Sequence, residues 1–165
     1  MHETIELGMT VNGRDQRLRI QPNETLADVL RDRLALTGTK VSCDAQVCGA
    51  CAVLVDGLAV SACTYLAADA EGRAVRTVEG LAAADGTLSP LQLAFLDKVA
   101  FQCGFCTSGM LIAGTALLED NPAPTREEVI AGIEGNLCRC TGYVPIVEAV
   151  LAAATATPAT DEVSA

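Results

Sequence analysis

The sequence has few aromatic residues and no tryptophan: Phe, Trp and Tyr together make up 3% of its 165 residues. Its cores must therefore be built from aliphatic and alanine side chains, and with half of the residues hydrophobic the chain can form one medium domain or two small ones. Basic residues are also scarce, with 11 Lys and Arg against 21 Asp and Glu. The resulting net charge of −10 repels phosphate backbones and anionic lipid surfaces, so we expect no nucleic-acid partner.

The sequence also lacks any run close to the roughly 20 apolar residues that a membrane-spanning helix needs. Its first residues contain no basic segment followed by an apolar stretch and no twin arginine. We therefore expect no membrane insertion and a cytoplasmic location. Because disulfides are rare in a reducing compartment, the eight cysteines favour ligation of a metal or a cluster.

The first third of the chain has the alternating pattern of β-strands. Two alternating runs flank Asn12-Gly13, a dipeptide suited to the positive φ angles of a tight hairpin turn. A second hairpin is predicted around Asp56-Gly57, with Cys63 on its return strand. Residues 75–78 are expected to add one more strand.

Helical spacing and capping residues predict helices in the remainder of the chain. A Thr or Ser that can accept a hydrogen bond from first-turn N–H groups precedes three of them, and residues 125–128 form a capping box. The expected helices are one beginning near Thr25, one from Ser89-Pro90 to about Ala100, one from near Thr107 to before Asn121-Pro122, one beginning at Thr125, and one over roughly 144–154.

The first four cysteines follow the pattern C-x4-C-x2-C-x11-C, whose first three positions have the spacing of plant-type 2Fe–2S ferredoxins. They are Cys43, Cys48, Cys51 and Cys63. Three thiolates must wrap around one edge of a cluster, and Gly49 and Ala50 are small enough to permit such a loop. Their backbone N–H groups can then point at the cluster sulfides and raise the reduction potential.

The last four cysteines lie in two short motifs, each at a junction between helices. They are Cys103 and Cys106 in CGFC, and Cys138 and Cys140 in CRC. Two such turns side by side offer four thiolates, and the N-termini of the following helices provide positive potential for an anionic cluster. The same helix dipoles lower the pKa of the thiols and so favour ligation.

Two other uses of these cysteines remain open on the residues alone. A structural zinc site also takes four cysteines, although zinc knuckles usually pair C-x2–4-C motifs, which neither C-x4-C-x2-C nor C-x-C matches well. A zinc-stabilised interaction module is therefore one alternative function, and disulfides are a weaker one.

The segments CDAQVCGAC, QCGFCTSGM and GNLCRCTGY, together with Cys63, resemble the iron–sulfur subunit of the molybdenum hydroxylases, which include xanthine dehydrogenases and aerobic carbon monoxide dehydrogenases. The resemblance covers residues 4–154 in order. It implies an α+β fold in which a plant-ferredoxin-like β-grasp domain (1–80) is followed by a linker (81–88), an all-α four-helix domain (89–155) and a disordered acidic tail (156–165). Each domain would hold one 2Fe–2S cluster.

The resemblance also implies partners and an electron route. Single electrons would pass from a molybdopterin centre on a large subunit through the helical-domain cluster and then the β-domain cluster to FAD on a medium subunit, in a dimer of heterotrimers. In the family the positions of Gln102 and Cys140 lie against the pterin. A free-standing two-cluster ferredoxin is the alternative function.

The chain departs from the family pattern in two places. Ser108 replaces the usual Pro after the Cys-Thr of the helical motif, which leaves a helix start possible but loses the fixed φ. Residues 45–47 are Ala-Gln-Val where many members carry a Gly, so the backbone of the first cluster loop and the potential of its cluster are expected to differ, while ligation is not.

Overall fold

A computed structural model describes residues 4–156, so the tail expected over 156–165 lies outside the described residues beyond Ala156. The fold is α+β: the β-strands lie in the first half of the chain and the longer helices follow. The strands are β1 (Ile5–Val11), β2 (Arg14–Ile20), β3 (Ala52–Val55), β4 (Leu58–Ser61) and β5 (Ala74–Arg76). The helices are α1 (Leu26–Asp28), α2 (Pro90–Asp97), α3 (Thr107–Asp120), α4 (Arg126–Ile133) and α5 (Val144–Ala156).

The five strands form one mixed sheet in the order β2-β1-β5-β3-β4. Among the strand pairs of the described residues, only β1–β5 is parallel. Both predicted hairpins are confirmed, and their turn residues have positive φ, 49° and 76° at Asn12 and Gly13 and 49° and 84° at Asp56 and Gly57, the combination that a tight two-residue hairpin turn needs.

Two details of the β-rich part differ from the expectation. Cys63 is not on the return strand, because β4 ends at Ser61, whose carbonyl accepts hydrogen bonds from the N–H groups of Thr64 and Tyr65 and so closes a turn. The strand expected over 75–78 is displaced to Ala74–Arg76, since a 3-10 turn begins at Val78.

The capping residues are as predicted: Thr25, Ser89 and Thr125 each form a capping box with the residue three positions later. The first helix is unusual, because α1 continues as a π-helical segment over Val29–Arg33. The second helix ends at Asp97 instead of near Ala100. Val99 adopts a left-handed φ of 51° there, and the N–H of Ala100 donates back to the Phe95 carbonyl, which terminates the helix.

The buried side chains form two large cores and one small one that joins them. The first lies between α1 and one face of the sheet, and the second lies among α2 to α5. In the small one, Ala52 and Leu54 of β3 pack against Ile112 of α3. Strand β3 and helix α3 therefore hold the two halves of the molecule side by side. Within residues 4–156, no helix is both long and apolar enough to cross a membrane.

Candidate metal centres

The first four cysteines lie together, three in the loop that precedes β3 and Cys63 in the turn after β4. Their thiols are arranged as two pairs. The Cys43 and Cys48 side chains lie next to each other and are partly exposed, whereas the Cys51 and Cys63 side chains lie next to each other and are buried. The structure therefore brings together the set that the spacing predicts.

The loop of this first site reaches its shape through three left-handed residues. Asp44, Gln46 and Gly49 have φ angles of 53°, 57° and 69°. Asp adopts a left-handed φ more readily than most residues, but a left-handed Gln costs more than a Gly would. The loop is thus able to adopt positive φ without a glycine at 45–47, and the Val47 N–H donates to the Cys43 sulfur at 3.4 Å.

The thiols of the first site differ in how readily they ionise. Hydrogen bonds from the backbone N–H groups of Val47, Ala45 and Cys48 lower the pKa of Cys43 to about 6, so this thiol is ready to bind iron as a thiolate. Burial instead raises the pKa of Cys51 to about 11. Ionising Cys51 therefore requires a nearby positive charge such as iron.

Several backbone donors of the loop, among them the N–H groups of Gly49 and Ala50, are left for a bound group. Ala50 is only 4% exposed, yet among residues 4–156 neither its N–H nor that of Gly49 meets an acceptor. Buried N–H groups are rarely without a partner. These two donors fit a cluster, whose sulfides and thiolates are acceptors.

The second set of cysteines also lies together, at the start of α3 and just before α5. The Sγ atoms of Cys103 and Cys140 are 3.6 Å apart and both residues are exposed. Cys106 and Cys138 form the second pair, which is partly buried. Gln102 lies beside the exposed pair, because its Nε2 donates to the Cys140 carbonyl at 3.1 Å.

Thr141 and Tyr143, which the sequence analysis did not single out, surround Cys138. The Thr141 hydroxyl lies 3.1 Å and its N–H 3.5 Å from the Cys138 sulfur. The Cys138 N–H donates to the Tyr143 hydroxyl at 2.9 Å, and the Tyr143 N–H donates to the Thr141 hydroxyl at 3.2 Å. Their position directly after the CRC motif is the feature of the sequence that could have identified them.

These contacts set the protonation of the second site. Burial raises the pKa of Cys106 to about 12. Burial also opposes ionisation of Cys138, but the hydrogen bonds from Thr141, the Cys140 backbone and the Cys106 side chain together outweigh it and lower the pKa of Cys138. The hydrogen bond with Cys103 raises the pKa of Cys140. Each site thus has one thiol whose pKa is lowered by hydrogen bonds and another whose pKa is raised by burial.

Unpartnered hydroxyls also lie next to the second site. The oxygens of Thr107 and Ser108, the two residues after Cys106, are buried and have no hydrogen-bond partner among the described residues. Ser108 is the residue that departs from the family pattern, and it supplies a donor where Pro would supply none. Like the Ala50 N–H in the first site, these hydroxyls are donors that a bound group with acceptor atoms would satisfy.

The pairing of the thiols distinguishes a diiron cluster from a zinc ion. A zinc ion needs four sulfurs converging on one point. A 2Fe–2S cluster takes four cysteines, two on each iron. Two pairs at each site are the arrangement that this cluster requires, so the residues fit 2Fe–2S clusters at both sites.

Comparisons with known proteins agree with this chemistry. A family model described as a 2Fe-2S iron-sulfur cluster binding domain matches residues 9–82, and one described as a 2Fe-2S binding domain matches residues 77–151. The nicotine 6-hydroxylase small subunit of Paenarthrobacter nicotinovorans is 56% identical over 149 residues, which are 90% of this chain and 89% of that protein. The nicotinate dehydrogenase small FeS subunit of Eubacterium barkeri is 44% identical, over 88% of this chain and 92% of that protein.

Solved structures share the fold. A chain of quinoline 2-oxidoreductase from Pseudomonas putida has a TM-score of 0.89 and 44% identity, covering 93% of this chain and 95% of that one. An aldehyde oxidoreductase from Desulfovibrio desulfuricans has a TM-score of 0.88 and 46% identity over 92% of this chain but only 17% of its own, so the same unit occurs there inside a longer polypeptide. With two cluster-binding regions in order and small subunits of oxidoreductases as relatives, the chain belongs to the iron–sulfur, electron-transfer subunits of the molybdenum hydroxylase family.

Proposed function

We propose that this chain relays single electrons from a molybdopterin centre on a large partner subunit to FAD on a medium partner subunit, in a cytoplasmic dimer of heterotrimers. The observation that carries the proposal is the arrangement of eight thiols as two pairs at each of two sites. When bound, a 2Fe–2S cluster accepts and gives up one electron at a time.

The proposed ligands of the first cluster are Cys43, Cys48, Cys51 and Cys63, and those of the second are Cys103, Cys106, Cys138 and Cys140. The proposed units are a ferredoxin-like domain over 1–80, a linker over 81–88 and a four-helix domain over 89–155. The absence of helix and strand over residues 81–89 supports a division there.

The exposed edge of the second site is proposed to face the molybdopterin. Cys103 and Cys140 are both exposed, and the Gln102 amide is held beside them by the Cys140 carbonyl. A donor and an open thiol at one edge suit contact with a polar ring system on a neighbouring subunit. Gln102 and Cys140 are therefore the proposed pterin-contacting residues.

The first site is proposed to face the FAD subunit. Its Cys43–Cys48 pair is the more exposed one, and Val47 between them leaves 62% of its surface open. An exposed apolar side chain beside a redox site favours a protein neighbour there, because burying it removes apolar surface from water. Accessible thiols at both sites suit a relay between two partners.

Metal analysis and electron paramagnetic resonance (EPR) of the purified complex test the function. We expect four irons and four acid-labile sulfides per chain and two distinct 2Fe–2S signals after reduction. Cys48→Ser should remove the first signal and block transfer to FAD, while substrate still reduces the molybdenum. Zinc without acid-labile sulfide would refute the cluster assignment, and retained turnover of Cys48→Ser with the physiological acceptor would refute the electron order.

A further inference from the structure

The loop of the first site and the segment that leads into the CRC motif are hydrogen-bonded to each other. The N–H of Leu137 donates to the Cys48 carbonyl at 2.9 Å, and the side-chain Nδ2 of Asn136 donates to the Gly49 carbonyl at 2.9 Å. Cys48 belongs to the first cysteine set, and Leu137 directly precedes Cys138 of the second set. The two sites are therefore joined at their backbones.

This junction leaves no room for side chains. A Cβ on Gly49 would lie 2.6 Å from Cγ of Asn136, and a Cβ on Gly109 in the first turn of α3 would lie 2.2 Å from the Gly49 carbonyl oxygen. Gly49 also has the left-handed φ that favours glycine. Three backbone segments thus meet in direct contact, and each of them lies within three residues of a cysteine of the two sites.

Asn136 has the side chain that this position requires. It is 7% exposed, and a buried amide is costly unless it is hydrogen-bonded. Its Nδ2 donates into the loop, and its own N–H donates to the Ile133 carbonyl at the end of α4. An aspartate would set an acceptor against the Gly49 carbonyl, and a leucine would have no donor.

Holding these carbonyls also sets the direction of the free N–H groups of the loop. In a planar trans peptide the C=O and the following N–H point in opposite directions. Because the Cys48 and Gly49 carbonyls point to the CRC segment, the N–H groups of Gly49 and Ala50 point to the other side of the loop. Both belong to the loop N–H groups for which the described residues provide no acceptor.

We infer that Asn136 is a positioning residue of the first cluster: together with the Ala52 N–H, its side chain holds the Gly49 carbonyl and so orients the Ala50 N–H of the same peptide group to donate to that cluster. This inference rests on the proposed ligand sets. Donors aimed at cluster sulfur stabilise the reduced state. Asn136, although it lies next to the second motif in the sequence, thus governs the potential of the first cluster.

Redox titration of the purified complex, followed by EPR, tests this role. In Asn136→Leu we expect both clusters to remain bound and the reduction equilibrium of the first cluster to become roughly fivefold less favourable, about 40 mV for one electron. If the Asn136→Leu complex does not assemble, Asn136→Ser is measured instead, because it shortens the side chain without adding an apolar group. The matched pair Gly109→Ala and Gly114→Ala tests the same contact by adding a methyl group. A Cβ on Gly114 would meet the side chains of Leu91, at 3.1 Å, and Val150, at 3.4 Å, both away from the junction.

We expect Gly109→Ala to shift the potential of the first cluster and Gly114→Ala to leave it unchanged. An unchanged first potential in an Asn136 variant that retains both clusters would overturn the inference, as would a shift confined to the second cluster. Failure of the proposed function looks different, because the wild-type complex would then lack two 2Fe–2S signals.

Discussion

The hydrogen bonds from Thr141 to Cys138 give a measurable prediction for the second cluster. An iron-bound thiolate carries no proton, so the Thr141 hydroxyl, 3.1 Å from this sulfur, must donate to it. The Tyr143 N–H donates to the same hydroxyl and polarises it further. Thr141→Val keeps the shape of the side chain and removes this donor.

The size of the effect follows from the charge on sulfur. A hydrogen bond to a charged group contributes about 1.5–3 kcal/mol, and the thiolate is charged in both oxidation states, so we take about a third of this as the difference between them. That is about 0.5–1 kcal/mol, or about 20–40 mV for one electron. The second cluster of Thr141→Val should therefore have a lower potential by this amount.

EPR-monitored redox titration of the complex measures the shift, with Cys48→Ser identifying which signal belongs to the second cluster. Thr155→Val is the matched control, because within residues 4–156 the Thr155 hydroxyl donates only to the Ala152 carbonyl at the exposed end of α5. No shift, or a rise, in a Thr141→Val complex that keeps both clusters would refute the reasoning.

Two further variants test other contacts. Gln102→Ala removes the amide that donates to the Cys140 carbonyl, so freeze-quench EPR should show slower reduction of the second cluster by substrate-reduced molybdenum; an unchanged rate would contradict the assignment of Gln102. In the capping box of α4, the hydrogen bond from the Thr125 N–H lowers the pKa of Glu128. This hydrogen bond therefore stabilises the folded state above the unfolded pKa of about 4.3, and the stabilisation is lost as the pH falls through the lower pKa of the folded state. Glu128→Ala should lower Tm at pH 7, and the difference in Tm from the wild type should disappear below about pH 4. Glu127→Ala, outside the capping box, should show no difference in Tm that disappears in this way.

The parts of this molecule that were predictable from the sequence depend on neighbouring residues. Asn12-Gly13 and Thr125 specify a hairpin turn and a helix start through contacts a few positions away. The cysteine spacing likewise predicted both sets of thiols, because a cluster demands four sulfurs from short segments. Val99 was missed, since a left-handed valine that ends a helix contradicts its local preference.

The junction between the sites was not predictable for a different reason. Asn136 and Gly49 are 87 positions apart, and neither residue type signals the other. Their contact depends on how β3 packs against α3, which spacing and propensity do not encode. Thr141 and Tyr143 were within reach of a local argument, because a hydroxyl and a phenol directly after a cysteine motif are natural donors to sulfur.

The same packing explains why the two sites can work as a relay. The probability of electron tunnelling falls steeply with distance, so a relay needs its two clusters at a fixed separation. Three kinds of contact hold that separation: the Asn136 junction, the packing of Leu54 on Ile112, and the Arg76–Glu119 ion pair between β5 and α3. The ion pair is exposed and contributes little, whereas the junction joins backbones directly beside cysteines of both sites. Variants of the junction should therefore disturb transfer between the clusters more than Arg76→Ala does, and the reverse order would show that packing elsewhere fixes the separation.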